Sequence, residues 1–566
     1  MIKGWLLNHD QDLLTKLINE SKGWLVGSGR FFPGSFFLTF GTFYYIDELL
    51  IFKSLTLILI CLNLVYFYKN LLLITENNSV SLFSVFLVLI FFQYRQWHDP
   101  ILGFENLLIV INLLFLSSLY YFNIYLITKN KKYFVLSILL YVILILMYEV
   151  SYPLILIFIF VSFLNNKKLI TIIKNLKYHF LSLFTILGIT IYYRIKIILI
   201  DSRGYPTLNE NFSFSELATG FMHQFHSGLS FSYLFRSKFE LNLSIILEWI
   251  KVYGRLLDIL FICVFFISIN FFLLNKNILL KKSNLYLKLV LIGILIAVPQ
   301  AMLIALSSHN PTIIKMGYGY GYLPVYIQYF GTALIYSGII FLLLSKIKAY
   351  KFKFITGLIV SILLVSNLYL NLLQNRHVVF ETNKFYRFPR DVITSALKKN
   401  ILKDLNNDDV IFRSAKYPYD NIWFISTYTN KIPCMVDYNL NLNETWAQWP
   451  KDCLVKIGNV NEENLNKKIS SNLNSKKYFF YIINSDQTGG GKGNFILLTF
   501  KKLSLKSNSL DENETVVKSI KIFLEEDKKI YSTSFVNKIN LEDLMILNGK
   551  IFKNKKEVNK FIKKYK

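Results

Sequence analysis

Long apolar runs recur through the first two thirds of the chain, and short polar connectors separate them. A helix needs about 20 apolar residues to cross the roughly 30 Å hydrocarbon core of a bilayer, and most of these runs approach that length. The pattern predicts a polytopic all-α membrane region of about ten transmembrane helices. The predicted spans are residues 46–68, 79–94, 105–127, 133–148, 150–164, 178–198, 256–275, 286–306, 323–345 and 353–373.

The composition favours the same class of protein. Hydrophobic residues make up 53% of the 566 residues and charged residues only 17%, and a soluble protein of this length is rarely so apolar. The net charge of +27 could indicate nucleic-acid binding. However, the lysines and arginines are concentrated in the connectors and the C-terminal third, as is typical of charges that set membrane topology. We therefore expect the lipid bilayer as a partner and no nucleic acid.

Basic connectors predict which segments face the cytoplasm. Lysines follow residue 127 and again residue 164, so both connectors should be cytoplasmic and the chain should cross the membrane twice between them. This favours two short spans over one long tilted helix for residues 133–164. The stretch "YEVSYP", residues 148–153, then lies at the opposite face, where a proline break is easily accommodated.

We predict the plasma membrane as the location, and the same alternation places five further regions with that turn on its external, periplasmic side. They are residues 1–45, 95–104, 199–255, 307–322 and the region after 374. Three domains result: an external N-terminal segment at 1–45, a multi-span domain at 46–373 and an external soluble domain at 374–566. Because no apolar span precedes "NHDQD" at residues 8–12, we also expect that the reading frame lacks a first transmembrane helix.

Residues 374–566 are rich in Lys, Asn, Asp and Glu and contain strand-like runs such as "DVIFRS", "KYFFYII" and "NFILLTF". They predict a C-terminal soluble α+β domain with its own core. Cys434 and Cys453 could form a disulfide if this domain faces an oxidising compartment. Cys61 and Cys263 lie inside apolar runs and are expected to be core or lipid-facing residues.

Acids and bases gather in the predicted external segments. A charge near the bilayer is costly, so such residues are functional candidates, although a loop-end charge can also be solvated by lipid headgroups. The candidates are Asp10, Asp12, Arg30, Arg95, His98, Asp99 and Glu149.

An acidic pair, then "GWLVGSGR", then many spans and an external domain resembles the GT-C superfamily of integral membrane glycosyltransferases, in particular bacterial enzymes of the O-antigen glucosyltransferase type. The matching residues are Asp10 or Asp12, Trp24, Gly29 and Arg30. "HDP" at 98–100, "YEVSYP" and "GYLPVYIQYFG" at 321–331 are also similar to this family. The resemblance covers roughly residues 1–373. The chain departs from the pattern because its acids are spaced as "DQD" rather than adjacent and its first helix is missing.

The resemblance implies an enzyme that takes a sugar from a polyprenyl-phosphate donor and delivers it to a glycan or glycolipid acceptor of the cell envelope. A general base must reach the acceptor hydroxyl, and Asp10 is the first candidate with Asp12 second. Arginine suits the donor phosphate because its planar fork binds two oxygens. The implied phosphate-binding residues are Arg30, Arg95 and Lys315, and the implied substrate-binding residues are His98, Asp99, Glu149 and Tyr152.

Three other motifs are only weak indications of a binding site. His223 and His226 in "HQFH" have helical spacing but no obvious third ligand, so we expect no metal site. "GYGYGY" at 317–322 follows no strand and is predicted to be a loop, and "TGGGKG" at 488–493 lacks the Ser or Thr that a phosphate loop needs and is predicted to be a hairpin turn. We expect no cofactor.

Two alternatives to a glycosyltransferase stay open. A transporter or flippase for lipid-linked saccharides would place polar residues at the bilayer midplane on broken helices. Here the predicted spans carry few charges at their centres and the acids cluster at one face, which favours surface chemistry. A polysaccharide polymerase or ligase would also work at this face on a lipid-linked substrate.

Overall fold

A computed structural model describes two compact units, Asp12–Val379 and a second that contains Phe380–Lys566. In the first unit the described residues are 13–40, 49–95, 106–165, 168–200, 213–230, 232, 243–274, 283–307, 310–316 and 321–379. In the second they are 380–382, 392, 395–396, 399, 401, 410–414, 436–437, 456–460, 478–485, 493–500, 514–540, 552 and 554–564.

The described part of the first unit is helical. Its helices are α1 (Leu13–Ser28), α2 (Pro33–Ser35, continuing as a π-helical turn over Phe36–Phe40), α3 (Leu49–Thr75), α4 (Asn78–Phe91), α5 (Leu107–Thr128), α6 (Lys131–Ile145), α7 (Ile155–Asn165), α8 (Leu169–Ile200), α9 (Phe214–Ser227), α10 (Leu243–Tyr253), α11 (Leu256–Leu274), α12 (Ser283–Ala305), α13 (Asn310–Met316), α14 (Val325–Lys346) and α15 (Tyr350–Thr382). A 3₁₀ helix, Glu149–Leu154, leads into α7.

Each of the ten predicted apolar runs coincides with one of these helices. Among the described residues, seven helices are long and apolar enough to cross a membrane, and they are α3, α5, α8, α11, α12, α14 and α15. The other three, α4, α6 and α7, have 14, 15 and 11 residues and are shorter than a full span. The protein is therefore membrane-embedded, and the predicted count of ten spans stays a prediction. Cys61 and Cys263 are exposed on α3 and α11, as expected of lipid-facing residues.

The predicted interruption between residues 133 and 164 is confirmed. α6 ends at Ile145, and the chain resumes as a 3₁₀ helix that contains Pro153 before α7 begins. Pro153 has no N–H to donate to the preceding turn, which favours the 3₁₀ helix over a continuous α-helix at this point. Gln300 of α12 donates to the carbonyl of Val150 at 2.9 Å and so satisfies a backbone acceptor that the break leaves open.

Small residues allow α12 and α14 to pack backbone against backbone. A Cβ on Gly293 would lie 2.5 Å from the Gly331 carbonyl oxygen, and a Cβ on Gly331 would lie 2.7 Å from that of Gly293. A Cβ on Gly338 of α14 would lie 2.6 Å from the carbonyl oxygen of Tyr286, near the start of α12. Membrane helices associate through such close contacts because lipid tails are as apolar as the side chains they replace.

Asparagines link α3 to α5. Asn63 donates to the Ile109 carbonyl at 3.0 Å and accepts from Asn112 at 2.7 Å, and Asn70 donates to the Leu116 carbonyl. The polar side chains inside these apolar helices are therefore paired with one another, as a region without water requires.

An ion pair joins the start of α11 to the end of α15. Both guanidinium nitrogens of Arg376 lie 2.6 Å from the Asp258 carboxylate, and Arg376 also donates to the Tyr253 carbonyl at 2.7 Å. Next to it, His377 stacks on Trp249 of α10. The pair holds three helices together at one end of the unit.

Among its described residues, the second unit contains a seven-stranded mixed sheet. Its strands are β1 (Val410–Ser414), β2 (Val436–Asp437), β3 (Lys456–Val460), β4 (Tyr478–Ser485), β5 (Gly493–Phe500), β6 (Glu514–Leu524) and β7 (Lys529–Asn540). The order is β2-β3-β1-β4-β5-β6-β7, with β2, β3, β1 and β4 parallel and β4 to β7 antiparallel. A helix, α16 (Lys555–Lys564), follows. The three predicted strands are confirmed as β1, β4 and β5. β4 and β5 pair antiparallel, with Ser485 opposite Gly493, whereas residues 488–492 of the predicted hairpin turn lie outside the described residues.

Candidate functional site

The loop that carries Arg30 begins at Gly29, where the chain leaves α1. Gly29 has φ +63°, in the left-handed region that favours glycine, and its N–H donates to the Leu25 carbonyl at 3.0 Å. A Cβ at this position would lie 2.9 Å from the Arg194 Cα and 2.5 Å from its Cγ. Glycine is therefore needed both for the backbone conformation and for the contact with α8.

The other end of this loop is fixed to the break after α6. The N–H of Gly34 donates to the Leu146 carbonyl at 2.9 Å, and the Ser35 hydroxyl donates to the Met147 carbonyl. Both carbonyls immediately precede Tyr148 and Glu149. The two hydrogen bonds therefore place Arg30 next to the 3₁₀ helix, although 118 residues separate it from Tyr148.

Arg30 is held between aromatic rings. Its Nη2 donates to the Tyr148 hydroxyl at 2.7 Å, and its guanidinium carbon lies 5.2 Å from the ring centre of Phe32 and 5.1 Å from that of Tyr148. Phe32 in turn packs on Trp24. A guanidinium over aromatic faces is stabilised as a cation and loses little freedom, so its orientation is set before any ligand arrives.

A second arginine reaches the same carboxylate. The Arg194 Nη2 lies 2.5 Å from the Glu149 Oε1, and the Arg30 Nη2 lies 3.5 Å from the Glu149 Oε2. The side chains are 25%, 13% and 22% exposed for Arg194, Arg30 and Glu149. Two guanidinium groups thus share one carboxylate, and the three side chains together carry one net positive charge in a partly dehydrated environment.

Each of the two arginines also has an N–H donor without an acceptor among the described residues. The Nε–H groups of Arg30 and Arg194 are buried and have no hydrogen-bond partner within the part of the chain that the structure describes. A buried N–H without an acceptor is costly, and a guanidinium offers five donors in a planar fork. The net positive charge and the partly exposed guanidinium groups therefore suit an oxyanion such as a phosphate.

The pKa of Arg30 is raised above its usual value. Burial alone lowers it by disfavouring the cation, but the Tyr148 hydroxyl and the Glu149 carboxylate outweigh that effect. Arg30 is therefore a cation at every physiological pH.

Of the residues predicted to bind substrate, two lie here. Glu149 and Tyr152 are both on the 3₁₀ helix, and the Tyr152 hydroxyl is close enough to Glu149, Arg194 and Arg30 to interact with them electrostatically. Tyr322, in the predicted "GYLPVYIQYFG" segment, also interacts with Arg30. We name Arg30, Tyr148, Glu149, Tyr152 and Arg194 the arginine site.

Arg95 has different partners from Arg30. It is 1% exposed, and its Nη2 donates to the Ser227 carbonyl of α9 at 2.5 Å and to the Tyr329 hydroxyl of α14 at 3.1 Å. These contacts hold the segment after α4 against two helices. Its predicted role on the donor phosphate stays a prediction, as does that of Lys315, which is exposed in the last turn of α13.

A short segment connects Arg95's surroundings to the arginine site. The Tyr322 N–H donates to Gln224 of α9 at 2.8 Å, and Gln224 donates to Gln328 at 3.0 Å. The preceding Gly321 has φ +61° and packs on Ser227, whose carbonyl binds Arg95. Four stretches that are distant in the sequence therefore lie at the same end of this unit. They are the stretches around Arg30, Arg95, Glu149 and Tyr322.

Four predicted residues, Asp10, Asp12, His98 and Asp99, lie outside the described residues, as do Cys434 and Cys453. The assignment of Asp10 or Asp12 as the base stays a prediction. The structure describes no cluster of three or more His, Cys, Asp or Glu side chains that could hold a metal. His223 and His226 lie on α9 with the predicted helical spacing. Burial lowers the pKa of both, and for His226 nearby Arg95 lowers it further.

Two contributors to the site were missed from the sequence. Tyr148 and Phe32 form the aromatic walls around Arg30, and neither was singled out. One indication of their role was present in the sequence, namely their position beside Glu149 in "YEVSYP" and close to Arg30 in "GRFFP". Periodicity could not have found them, because both are in irregular segments between helices.

Comparison with models of known protein families, with curated proteins and with solved structures gives no match.

Proposed function

We propose that this protein is a membrane glycosyltransferase of the GT-C type that transfers a sugar from a polyprenyl-phosphate donor to a glycan or glycolipid acceptor of the cell envelope. The observation that carries the proposal is the arginine site. Two arginines converge on one carboxylate and retain buried Nε–H donors that have no partner among the described residues. The excess positive charge and the partly exposed guanidinium groups suit a lipid-linked phosphate.

In this proposal Arg30 and Arg194 bind the donor phosphate, and Glu149 keeps the two guanidinium groups apart and aligned when the donor is absent. The acceptor hydroxyl attacks the anomeric carbon while the bond between that carbon and the phosphate oxygen breaks. The electron pair of the broken bond leaves with the polyprenyl phosphate, and the hydroxyl proton passes to Asp10. Negative charge grows on the leaving phosphate, so fixed arginines stabilise the transition state more than the ground state.

We further propose that the arginine site and the second unit face the periplasm, and that α4, α6 and α7 complete a bundle of ten crossings. Cysteine labelling tests the sidedness. In a cysteine-free background, Lys22→Cys on α1 should react with a membrane-impermeant thiol reagent in intact cells. Lys131→Cys, at the exposed first residue of α6, should react only after lysis. The reverse pattern would overturn the orientation.

A binding experiment tests the phosphate site directly. The purified protein in lipid nanodiscs should bind a short-chain polyprenyl phosphate, and Arg30→Gln should weaken that binding by about 10- to 100-fold, since hydrogen bonds to charged groups contribute about 1.5–3 kcal/mol each. Arg30→Lys should keep part of the affinity because it keeps the charge and loses the fork.

The matched control is Arg255→Gln, which removes an exposed arginine at the start of α11. It should bind like the wild type. Equal losses in Arg30→Gln and Arg255→Gln would mean that binding follows overall charge and that the arginine site is not a phosphate site.

A second experiment separates catalysis from transport. In a host that carries the native glycan, Asp10→Asn should stop sugar addition while the protein remains at normal abundance. Loss of phosphate binding in Arg30→Gln together with full sugar addition in Asp10→Asn would reject Asp10 as the base. Phosphate binding without any sugar transfer by the wild type would instead support a carrier of lipid-linked saccharides.

A further inference from the structure

Tyrosines and lysines form two neighbouring groups on four helices of the first unit. The rings connect Tyr66 to Tyr120, Tyr120 to Tyr121 and Tyr121 to Tyr133, with centres 5.7, 5.3 and 6.2 Å apart. The next residue after Tyr133, Phe134, packs against both Tyr125 and Tyr178. The rings belong to α3, α5, α6 and α8, so the two groups together run around the outside of these helices.

Three lysines lie on the faces of these rings. The Lys69 Nζ is 5.8 Å from the ring centre of Tyr66 and 5.5 Å from that of Tyr120, the Lys129 Nζ is 5.7 Å from Tyr125, and the Lys177 Nζ is 4.5 Å from Tyr178. All three lysines are exposed. Contact with a ring face holds each ammonium group at a fixed height while leaving its N–H donors accessible. We name these three lysines with Tyr66, Tyr120, Tyr121, Tyr125, Tyr133 and Tyr178 the tyrosine–lysine band.

Two of the lysines lie within candidate membrane spans rather than beyond their ends. Lys69 precedes the end of α3 by six residues and Lys177 follows the start of α8 by eight, so at 1.5 Å per residue they lie about 9 and 12 Å inside the helix ends. α3 and α8 are about 40 and 48 Å long and exceed the roughly 30 Å hydrocarbon core. These positions therefore lie near the boundary of headgroups and acyl chains, where an ammonium group is stabilised by an anion. The anions available at the boundary of headgroups and acyl chains are lipid phosphates.

The surrounding charges favour the same ligand. Within residues 60–77, 120–137 and 168–180 the sequence has one acid, Glu76. The lysines in these stretches are Lys69, Lys129, Lys131, Lys132, Lys168, Lys174 and Lys177. Such an excess attracts anionic lipids, and the phenol groups of the half-buried tyrosines add hydrogen-bond donors at the same level.

We propose that the tyrosine–lysine band is a binding site for anionic phospholipid headgroups in the leaflet opposite the arginine site. The phosphate diester lies against Lys69 and Lys177, the rings flank it, and the acyl chains run down the lipid-facing surfaces of α3 and α8. This site is independent of the enzymatic proposal and would serve any function that requires the protein to be seated in a negatively charged leaflet.

The test measures lipid preference of the full chain. Protein reconstituted with equal amounts of phosphatidylglycerol and phosphatidylcholine is gently extracted, and the retained lipids are quantified by native mass spectrometry. The wild type should retain phosphatidylglycerol preferentially. Lys69→Gln combined with Lys177→Gln should reduce this preference roughly tenfold, given the strength of lysine attraction to anionic lipid surfaces.

The control is Lys53→Gln, which removes an exposed lysine from the opposite end of the same helix α3 and should retain the wild-type preference. The double substitution to arginine should restore it. The lysines of the α5–α6 connector remain in place in every variant, so the topological signal is kept. An undiminished preference in the double glutamine variant, or no preference in the wild type, would refute the proposal.

Discussion

Gly29 lies directly against the backbone of Arg194. A Cβ added to Gly29 would be only 2.9 Å from the Arg194 Cα. This contact joins the end of α1 to the C-terminal part of α8 and brings both arginines of the arginine site together. Because of this contact, even the substitution of Gly29 by alanine should disturb the site.

Gly29→Ala should therefore destabilise the fold and damage the arginine site. The left-handed conformation and the overlap with α8 together predict a loss of about 2–3 kcal/mol, with a lower Tm in detergent and weaker polyprenyl-phosphate binding. Gly27→Ala is the control, because a Cβ there meets nothing within 4 Å. If both alanine variants melt alike, the contact with Arg194 has no structural importance.

Gly331→Ala should separate α12 from α14. The added methyl group would overlap the Gly293 carbonyl, and overpacking of this kind costs about 1–3 kcal/mol. A thermal melt in the same detergent should show a lowered Tm. Gly188→Ala on α8, where a Cβ has open space, should melt like the wild type. A wild-type Tm for Gly331→Ala would contradict the close approach of the two helices.

Arg376→Gln should loosen the end of α15. The substitution leaves the Asp258 carboxylate, which is 5% exposed, without its two short hydrogen bonds, and removing one partner of such a pair costs about 3 kcal/mol. Lys351→Gln, at the exposed opposite end of α15, should have little effect. Proteolysis within α10 and α11 provides the measurement, because the pair holds both helices. Equal cleavage of the two variants would argue against the ion pair as a structural element.

Acidification should destabilise the protein through the α9 histidines. Burial lowers the pKa of His223 and His226 in the folded state, so the unfolded chain binds protons more readily below its histidine pKa of about 6.5. The stability they contribute is complete above that value and decreases as the pH falls through it toward the folded pKa. The Tm of the His223→Gln, His226→Gln variant should consequently fall less between pH 7.5 and 5.5 than that of the wild type. An unchanged pH slope would contradict the prediction.

The helices of the membrane unit could be predicted from the sequence because a bilayer leaves few alternatives to a helix for runs such as residues 107–128. The break near Pro153 could also be predicted, since proline and the basic connectors on either side both require it. Strands such as β5 followed from a run of β-branched and aromatic residues with turn residues on either side.

The contacts between segments could not be predicted in the same way. Arg30 meets Tyr148 across 118 residues, and Arg194 meets Glu149 across 45. Such pairs depend on how helices pack, and one sequence carries no record of that. The sequence likewise gives no indication that Arg95 is buried against α9 and α14, and its predicted role on the donor phosphate stays a prediction.

The long separations within the arginine site also set the order of events during synthesis. Arg30 leaves the ribosome first, Glu149 later, and Arg194 only after α8 has been nearly completed. No shorter nascent chain can hold all three side chains, so the arginine site is complete only once α8 has been made. Until then Glu149 lacks the second guanidinium, which is the nearer of the two in the folded protein.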